Sequence, residues 1–262
     1  FSRKKMPTCY DYEMKSVPLQ QVESVTDLGV LFDKEINFHD HISKIVNQAY
    51  RSLGFLKRNG HSFTYETLNL LFNLYVRSKL EYASVVWNPY HHNYSQLIDS
   101  LQHKFLRYLF FKKYKTSPAL ATTTSDLLSE FSKLKIVRLS NRRELAQLIF
   151  LKKLVTGHID SPLLCEQLHF RDSNTRTPLK TTFFFPITRT VHHRNSPIYS
   201  IMLAWNRLQS HNPELNFDMS LKRIKDIFYS SLPPSCSDVP SDELPYMGVT
   251  LHTFSGFLLE TV

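Results

Sequence analysis

Basic side chains are concentrated in one stretch of the chain, between residues 104 and 153. This stretch holds twelve Lys and Arg residues but only three acidic residues, so its net charge of +9 equals that of all 262 residues. Lys and Arg bind phosphate groups through charge-assisted hydrogen bonds that do not read the base sequence. The concentration of the whole charge excess in one block therefore favours a polyanion-binding surface over a general role in solubility.

The candidate nucleic-acid-binding residues include this block and an earlier stripe. Lys44, Arg51 and Arg58 are seven residues apart, which places them on one face of a helix. An ordinary solvated helix face explains that stripe equally well. Phe110 and Phe111 beside the lysines are typical of nucleic-acid grooves, with packing of both rings in the core as the alternative. The full set is Lys44, Arg51, Arg58, Lys104, Arg107, Lys112, Lys113, Lys115, Arg138, Arg142 and Arg143.

The carboxylates that would support two-metal catalysis are missing from the sequence. Two-metal nucleotidyl transfer needs neighbouring carboxylates that hold two divalent ions, and the chain contains no Asp-Asp pair. Asp27, Asp33 and Asp40 are better explained as residues of turns and helix caps. We therefore expect no catalytic residue and no resident cofactor in this chain.

Histidine and cysteine residues do not form a recognisable zinc motif. His91-His92, His192-His193 and the Cys165–His169 pair lack the second close pair of ligands that structural zinc sites use. With only 6 Gly residues, the chain also lacks glycine-rich phosphate loops. The three widely spaced Cys residues predict a reducing intracellular compartment, the nucleus or the cytoplasm, without a disulfide framework.

Three amphipathic helical patterns lead into the basic block. Apolar residues recur every three or four positions over residues 42–56, 68–80 and 97–109. Each set forms one apolar face of a helix, so three such helices with short connections predict a bundle. The second helix is expected to continue to Trp87, and Gly60 follows the first as a left-handed C-terminal cap would. Strand-like runs before residue 33 predict a short N-terminal β-strand pair within a mainly α fold.

These patterns divide the chain into four regions. Residues 1–36 are expected to form strands, 37–115 a three-helix bundle, 116–229 a basic helical extension and 230–262 a poorly ordered tail. Within the extension, residues 179–188 are predicted to form a strand. No apolar run approaches the roughly 20 residues that span a bilayer. Because the chain begins with Phe, we expect a fragment of a longer protein.

A series of residues recurs in one protein family in the same order and with the same spacing. In the first half it comprises Asp27-Leu28-Gly29-Val30, Phe32-Asp33, Phe38, His41-Ile42, Ala49, Arg51, Leu53-Gly54-Phe55, Arg58, Leu74-Tyr75, Arg77, Leu80-Glu81-Tyr82, Ser84, Val86-Trp87, Pro89, Leu101-Gln102 and Lys104-Phe105-Leu106-Arg107. Later members are Arg189-Thr190, Arg194-Asn195-Ser196-Pro197-Ile198 and Asn206. Together these residues resemble the segment that follows the polymerase palm in reverse transcriptases of jockey-type non-LTR retrotransposons.

The resemblance implies a role for each region of the chain. Residues 1–36 would be the end of the palm, 37–115 a thumb and 116–229 an extension of that thumb. The implied partners are an RNA/DNA template–primer, bound without sequence preference, and the upstream palm and fingers of the same polyprotein. Magnesium is implied only for the parent RNA-directed DNA polymerase, because this chain lacks the catalytic carboxylates. The alternative is a standalone, non-enzymatic helical scaffold that binds RNA or protein.

Overall fold

Two small antiparallel hairpins form the N-terminal part of the structure. The computed structural model describes residues 12–20, 22–119, 121–171, 181–187 and 190–232. In these ranges β1 (Glu13–Met14) pairs with β2 (Val17–Pro18), and β3 (Ser24–Asp27) pairs with β4 (Val30–Asp33). Gly29, with a φ of +84°, adopts the left-handed conformation that the two-residue turn between β3 and β4 requires. The predicted strand pair is therefore confirmed.

Helices account for most of the described residues after the hairpins, which confirms the mainly α fold class. They are α1 (His39–Asn59), α2 (Tyr65–Phe72), α3 (Ser78–Glu81), α4 (Ser84–Trp87), α5 (His92–Tyr114), α6 (Thr124–Glu130), α7 (Leu139–Val155), α8 (Pro162–Glu166), α9 (Val191–Arg194), α10 (Pro197–His211) and α11 (Leu221–Ser230). None of the helices in the described ranges is both long enough and apolar enough to cross a membrane.

The second predicted helix is interrupted twice before it ends. A π-helical segment (Asn73–Arg77) separates α2 from α3, and Ala83, with a φ of 51°, separates α3 from α4. The prediction of one continuous helix to Trp87 is wrong because a residue in the left-handed region cannot continue a right-handed helix. The indole of Trp87 donates a hydrogen bond to the Tyr82 carbonyl (2.7 Å), which stabilises the break.

Two apolar cores lie along the chain and meet near residue 138. The first core joins β4, α1–α6 and the start of α7, with Ala49 and Leu101 fully buried. The second joins α7, α10 and α11 around Leu148 and Trp205. Burial of each large apolar side chain contributes about 1.5–3 kcal/mol to stability. Because α6 packs in the first core, the cores divide about 20 residues after the expected boundary at residue 116.

The predicted strand at residues 179–188 is reduced to one bridge in the described part of the chain. Phe183 pairs with Phe170, and the buried amide of Asn206 bonds both the N–H (3.1 Å) and the carbonyl (2.8 Å) of Phe183. Other expectations lie outside the described residues. These are residues 1–11 of the expected strand region, the ends of the 179–188 strand, Arg189, and the tail from residue 233 onward.

Gly60 permits a close approach between the end of α1 and helix α5. Its φ of −86° excludes the expected left-handed cap. A Cβ atom at this position would lie only 2.8 Å from Leu68 Cδ2 and 2.8 Å from the Tyr108 hydroxyl. The glycine is therefore required by packing rather than by backbone conformation.

Replacing Gly60 by Ala is expected to destabilise the protein by about 1–3 kcal/mol, because the methyl group overpacks this contact. Gly54 is the matched control, since it lies inside α1 and a Cβ there meets no atom within 4 Å. Gly54→Ala should instead stabilise the helix by roughly 0.5–1 kcal/mol. Urea unfolding of both variants measures the two changes, and the same sign for both would contradict the packing role of Gly60.

Candidate nucleic-acid interface

Helices α1 and α5 lie side by side, run in the same direction and form one continuous surface. Near their middles, the hydroxyl groups of Tyr50 and Ser100 are 3.0 Å apart. About two turns further along both helices, the ammonium group of Lys57 lies over the ring of Tyr108. We call the surface formed by Tyr50, Lys57, Lys104 and Tyr108 the α1–α5 face.

Two lysines of the α1–α5 face rest on tyrosine rings. Lys104 Nζ is 4.6 Å from the centre of the Tyr50 ring and donates a hydrogen bond to its hydroxyl (3.2 Å). Lys57 Nζ is 5.7 Å from the centre of the Tyr108 ring. Partial burial lowers the pKa of Lys57, and the positive charge of Lys104 lowers it further. The two ammonium groups thus repel each other, and a bound anion would relieve that repulsion.

Carboxylates are absent from the two stretches of sequence that build this face. Residues 41–65 and 100–125 contain no Asp or Glu. Asp99 lies just outside the second stretch, and its carboxylate is directed to Arg143 of α7 at 3.9 Å. Since no acidic side chain lies along these parts of α1 and α5, the face combines aromatic rings with unneutralised positive charge.

The predicted stripe of α1 is exposed to solvent. Lys44, Arg51 and Arg58 are exposed and form no ion pair with any residue that the structure describes. Phe55 is exposed on the same helix, and Phe111 is exposed on α5. Phe110, in contrast, packs against the first core, so only one of the two neighbouring rings is available to a ligand.

Most of the remaining basic residues near the end of α5 form hydrogen bonds or ion pairs with other residues of the protein. Arg107 donates hydrogen bonds to the carbonyls of Pro118 and Ala119, and Lys112 donates to the carbonyl of His61 (2.5 Å). Lys113 forms an ion pair with Glu130 (2.6 Å), which raises the pKa of Lys113. Of this group, Lys115 is exposed at the C-terminal end of α5.

Three arginines of the basic block bind other side chains of the protein. The guanidinium of Arg138 bonds the Ser125 hydroxyl, and that of Arg142 binds both carboxylate oxygens of Glu81. Arg143 is only 2% exposed and donates to the side chains of Asn88 (3.1 Å) and Ser95 (3.3 Å). The expectation that Arg142 and Arg143 contact phosphate does not fit their positions, because neighbouring residues enclose both groups.

Sequence reasoning missed Lys57, Tyr50 and Tyr108. Lys57 lies outside the charge block, and the seven-residue stripe of Lys44, Arg51 and Arg58 passes beside it. Tyr50 and Lys57 are themselves seven residues apart, so the same periodicity was available as a signal.

The aspartates expected in turns and caps do not form a metal site. Asp33 accepts hydrogen bonds from the N–H groups of Asn37 (2.9 Å) and Phe38 (3.0 Å), which fits the expected role in a turn ahead of α1. Within the described ranges, no three His, Cys, Asp or Glu side chains are grouped closely enough to hold a metal ion. These residues therefore do not fit the magnesium ions that the resemblance implies for a parent polymerase.

Comparisons of the chain with known proteins do not identify a family. No family model matches it, and neither a curated protein nor a solved structure does so. The resemblance to jockey-type reverse transcriptases therefore rests only on the recurring residues described in the sequence analysis. The geometry adds one independent feature, an aromatic and basic face without carboxylates on α1 and α5.

Proposed function

We propose that this chain is the thumb and basic extension of a jockey-type retrotransposon reverse transcriptase, and that it grips the template–primer backbone. The observation that carries the proposal is the α1–α5 face, where Lys57 and Lys104 lie over tyrosine rings on two adjacent helices, in stretches of sequence without Asp or Glu. The chain itself performs no catalysis in this proposal, since the paired carboxylates are missing.

The α1–α5 face suits contacts with phosphates rather than with base edges. Lys57 and Lys104 are point charges on tyrosine rings, so they favour an anion but impose no hydrogen-bonding pattern on a base. Arg51 and Arg58 extend the positive surface along α1. Binding through such contacts depends on counterion release and is independent of sequence.

Exposed apolar side chains in the N-terminal part of the chain support the proposal that another protein segment contacts it. Met14, Val17, Val22 and Val25 are all exposed, although side chains of this type are usually packed. In the proposal they contact the upstream palm and fingers of the same polyprotein, where magnesium would be held. The alternative scaffold function draws support from a second exposed apolar group, Leu70, Leu74 and Tyr75.

The proposal is tested by the salt dependence of duplex binding. The variant carries Lys57→Gln, Arg58→Gln and Lys104→Gln, all at exposed positions. Each phosphate contact adds about 0.9 to the slope of log affinity against log salt concentration for duplex DNA. We expect the variant to lower that slope by roughly two to three units and to weaken binding uniformly across sequences. Fluorescence anisotropy with labelled DNA duplexes and RNA–DNA hybrids measures both quantities.

A charge-matched control distinguishes the effect of the α1–α5 face from the effect of lowering the net charge of the protein. Lys222→Gln, Arg223→Gln and Lys225→Gln remove the same three charges from α11. This control should leave most of the slope intact. An equal loss in both variants would contradict a localised grip. If the unmodified protein shows no salt-dependent duplex binding at all, the scaffold alternative is favoured.

A further inference from the structure

A cavity of about 380 Å³ lies where the N-terminal ends of α1, α5 and α10 come together. Its lining includes His39 at the start of α1, Tyr94 in the first turn of α5, and Ser200 of α10. The volume falls in the range of roughly 300–1,000 Å³ that small-molecule sites occupy. The cavity lies at the opposite end of α1 from Lys57, so it is separate from the lysines of the α1–α5 face.

Aromatic rings form one side of this cavity. The rings of His39 and Tyr94 are stacked with their centres 4.4 Å apart, and those of Tyr90 and His91 are 4.0 Å apart. The Nε2 atom of His39 is buried and has no hydrogen-bond partner in the described part of the chain. Because that nitrogen is closed off from solvent, a flat ligand in the cavity would contact the aromatic rings rather than the nitrogen.

The electrostatics of the cavity favour a negatively charged group. No Asp or Glu is among its lining residues, whereas Arg194 lines it, is exposed and forms no ion pair with a described residue. Helix α5, of 23 residues, begins without a side-chain cap, whereas side chains of Asn37 and Asp33 bond the N–H groups of His39 and Phe38 at the start of α1. The unbonded N–H groups and the dipole of α5 add positive potential at this end of the helix.

From this combination we propose that the cavity binds one nucleotide unit. Its base lies against the rings of His39 and Tyr94. Its phosphate binds the guanidinium of Arg194. The same chemistry is offered by a free nucleotide and by an unpaired nucleotide of a strand. The site does not depend on the proposed grip on duplex backbone, which involves different residues.

Calorimetric titration with AMP, adenosine and inorganic phosphate tests the site. We expect AMP to bind more tightly than either adenosine or phosphate, because each of these supplies only half of the contacts. Arg194→Gln should weaken AMP binding by about tenfold, the loss of one hydrogen bond to a charged group, and leave adenosine binding unchanged. Leu203→Trp, at an exposed lining position, should obstruct both ligands without disturbing either core.

Arg58→Gln provides the charge-matched control, since Arg58 does not line the cavity. It should leave AMP binding unchanged, whereas Arg194→Gln should leave the salt slope of duplex binding nearly unchanged. A single-stranded trinucleotide distinguishes the source of the ligand. Tighter binding of the trinucleotide indicates a strand, and tighter binding of AMP indicates a free nucleotide. Failure of the unmodified protein to bind either, or equal effects of both arginine variants on AMP, would overturn the proposal.

Discussion

Replacing Glu81 by Gln is expected to destabilise the folded protein by about 3 kcal/mol or more. Glu81 is the one carboxylate between two arginines, Arg77 and Arg142, and the replacement keeps its shape while removing its charge. The two guanidinium groups would then remain largely shielded from solvent and would repel each other. Loss of one partner from a buried ion pair typically costs about 3–5 kcal/mol for this reason.

The geometry around Glu81 shows why the effect should be large. Its two oxygens bind Arg142 in a bidentate manner, with Oε2 2.9 Å from Nη2, and Oε1 is 3.7 Å from Arg77 Nε. The side chains of Glu81, Arg142 and Arg77 are only 11%, 12% and 16% exposed. Burial, together with the charge of Arg142, lowers the pKa of Arg77 to about 10. Burial likewise raises the pKa of neighbouring Tyr229 to about 12.

Two further variants distinguish the cost of leaving arginine charges unpaired from the general effect of a Glu→Gln substitution. Glu214→Gln removes the same carboxylate from an exposed pair with Arg223, so it should change stability by less than about 1 kcal/mol. Adding Arg142→Met to Glu81→Gln removes one uncompensated charge and should restore part of the loss. Urea unfolding measures each variant. A loss below about 1 kcal/mol for Glu81→Gln would show that solvent screens the pair.

The sequence predicted the helices of the first core well, because their apolar residues repeat with the helical period. The pattern at residues 42–56 corresponds to α1 (His39–Asn59), and that at 97–109 corresponds to α5 (His92–Tyr114). Both helices extend beyond their patterns because polar end residues carry no periodic signal. The break at Ala83 was not predictable, since alanine is a strong helix former and gives no local sign of a left-handed residue.

The candidate site was predicted only in part, because charge along the sequence does not show which side chains the fold encloses. Arg142 and Glu81 are 61 residues apart, so their ion pair arises only when α7 packs against α3. Lys57 and Lys104 come together in the same way, across two helices whose relative direction the periodicity does not determine. The exposed stripe of α1, in contrast, followed directly from its seven-residue spacing.

Acidification from pH 7 to pH 4 is expected to destabilise the protein through His41. This residue is only 2% exposed and lies beneath β4 with its ring edge-to-face to Trp87. Its Nδ1 accepts the N–H of Leu31 (3.2 Å), which requires an unprotonated nitrogen. Burial, together with the positive charge of Lys44, lowers the pKa of His41 from 6.5 to about 4.

The sign of the effect follows from the difference between the folded and the unfolded pKa. The unfolded chain takes up the proton near pH 6.5, whereas the folded protein resists it down to about pH 4. The stability contributed by neutral His41 is therefore fully present above pH 6.5 and is lost as the pH falls through this window. Each pH unit corresponds to about 1.4 kcal/mol, so the loss approaches roughly 3 kcal/mol at pH 4.

His41→Gln removes the titrating group and keeps an acceptor for the N–H of Leu31. Free energies of unfolding in urea, measured from pH 7.5 to pH 4.5, should fall more steeply for the unmodified protein than for this variant. The difference between the two proteins isolates His41, because burial raises the pKa of Asp99 and Glu144 in both. The exposed His61 is the matched control, and His61→Gln should leave the pH dependence unchanged. An NMR titration of the His41 ring with a midpoint near 6.5 would contradict a buried neutral imidazole at this position.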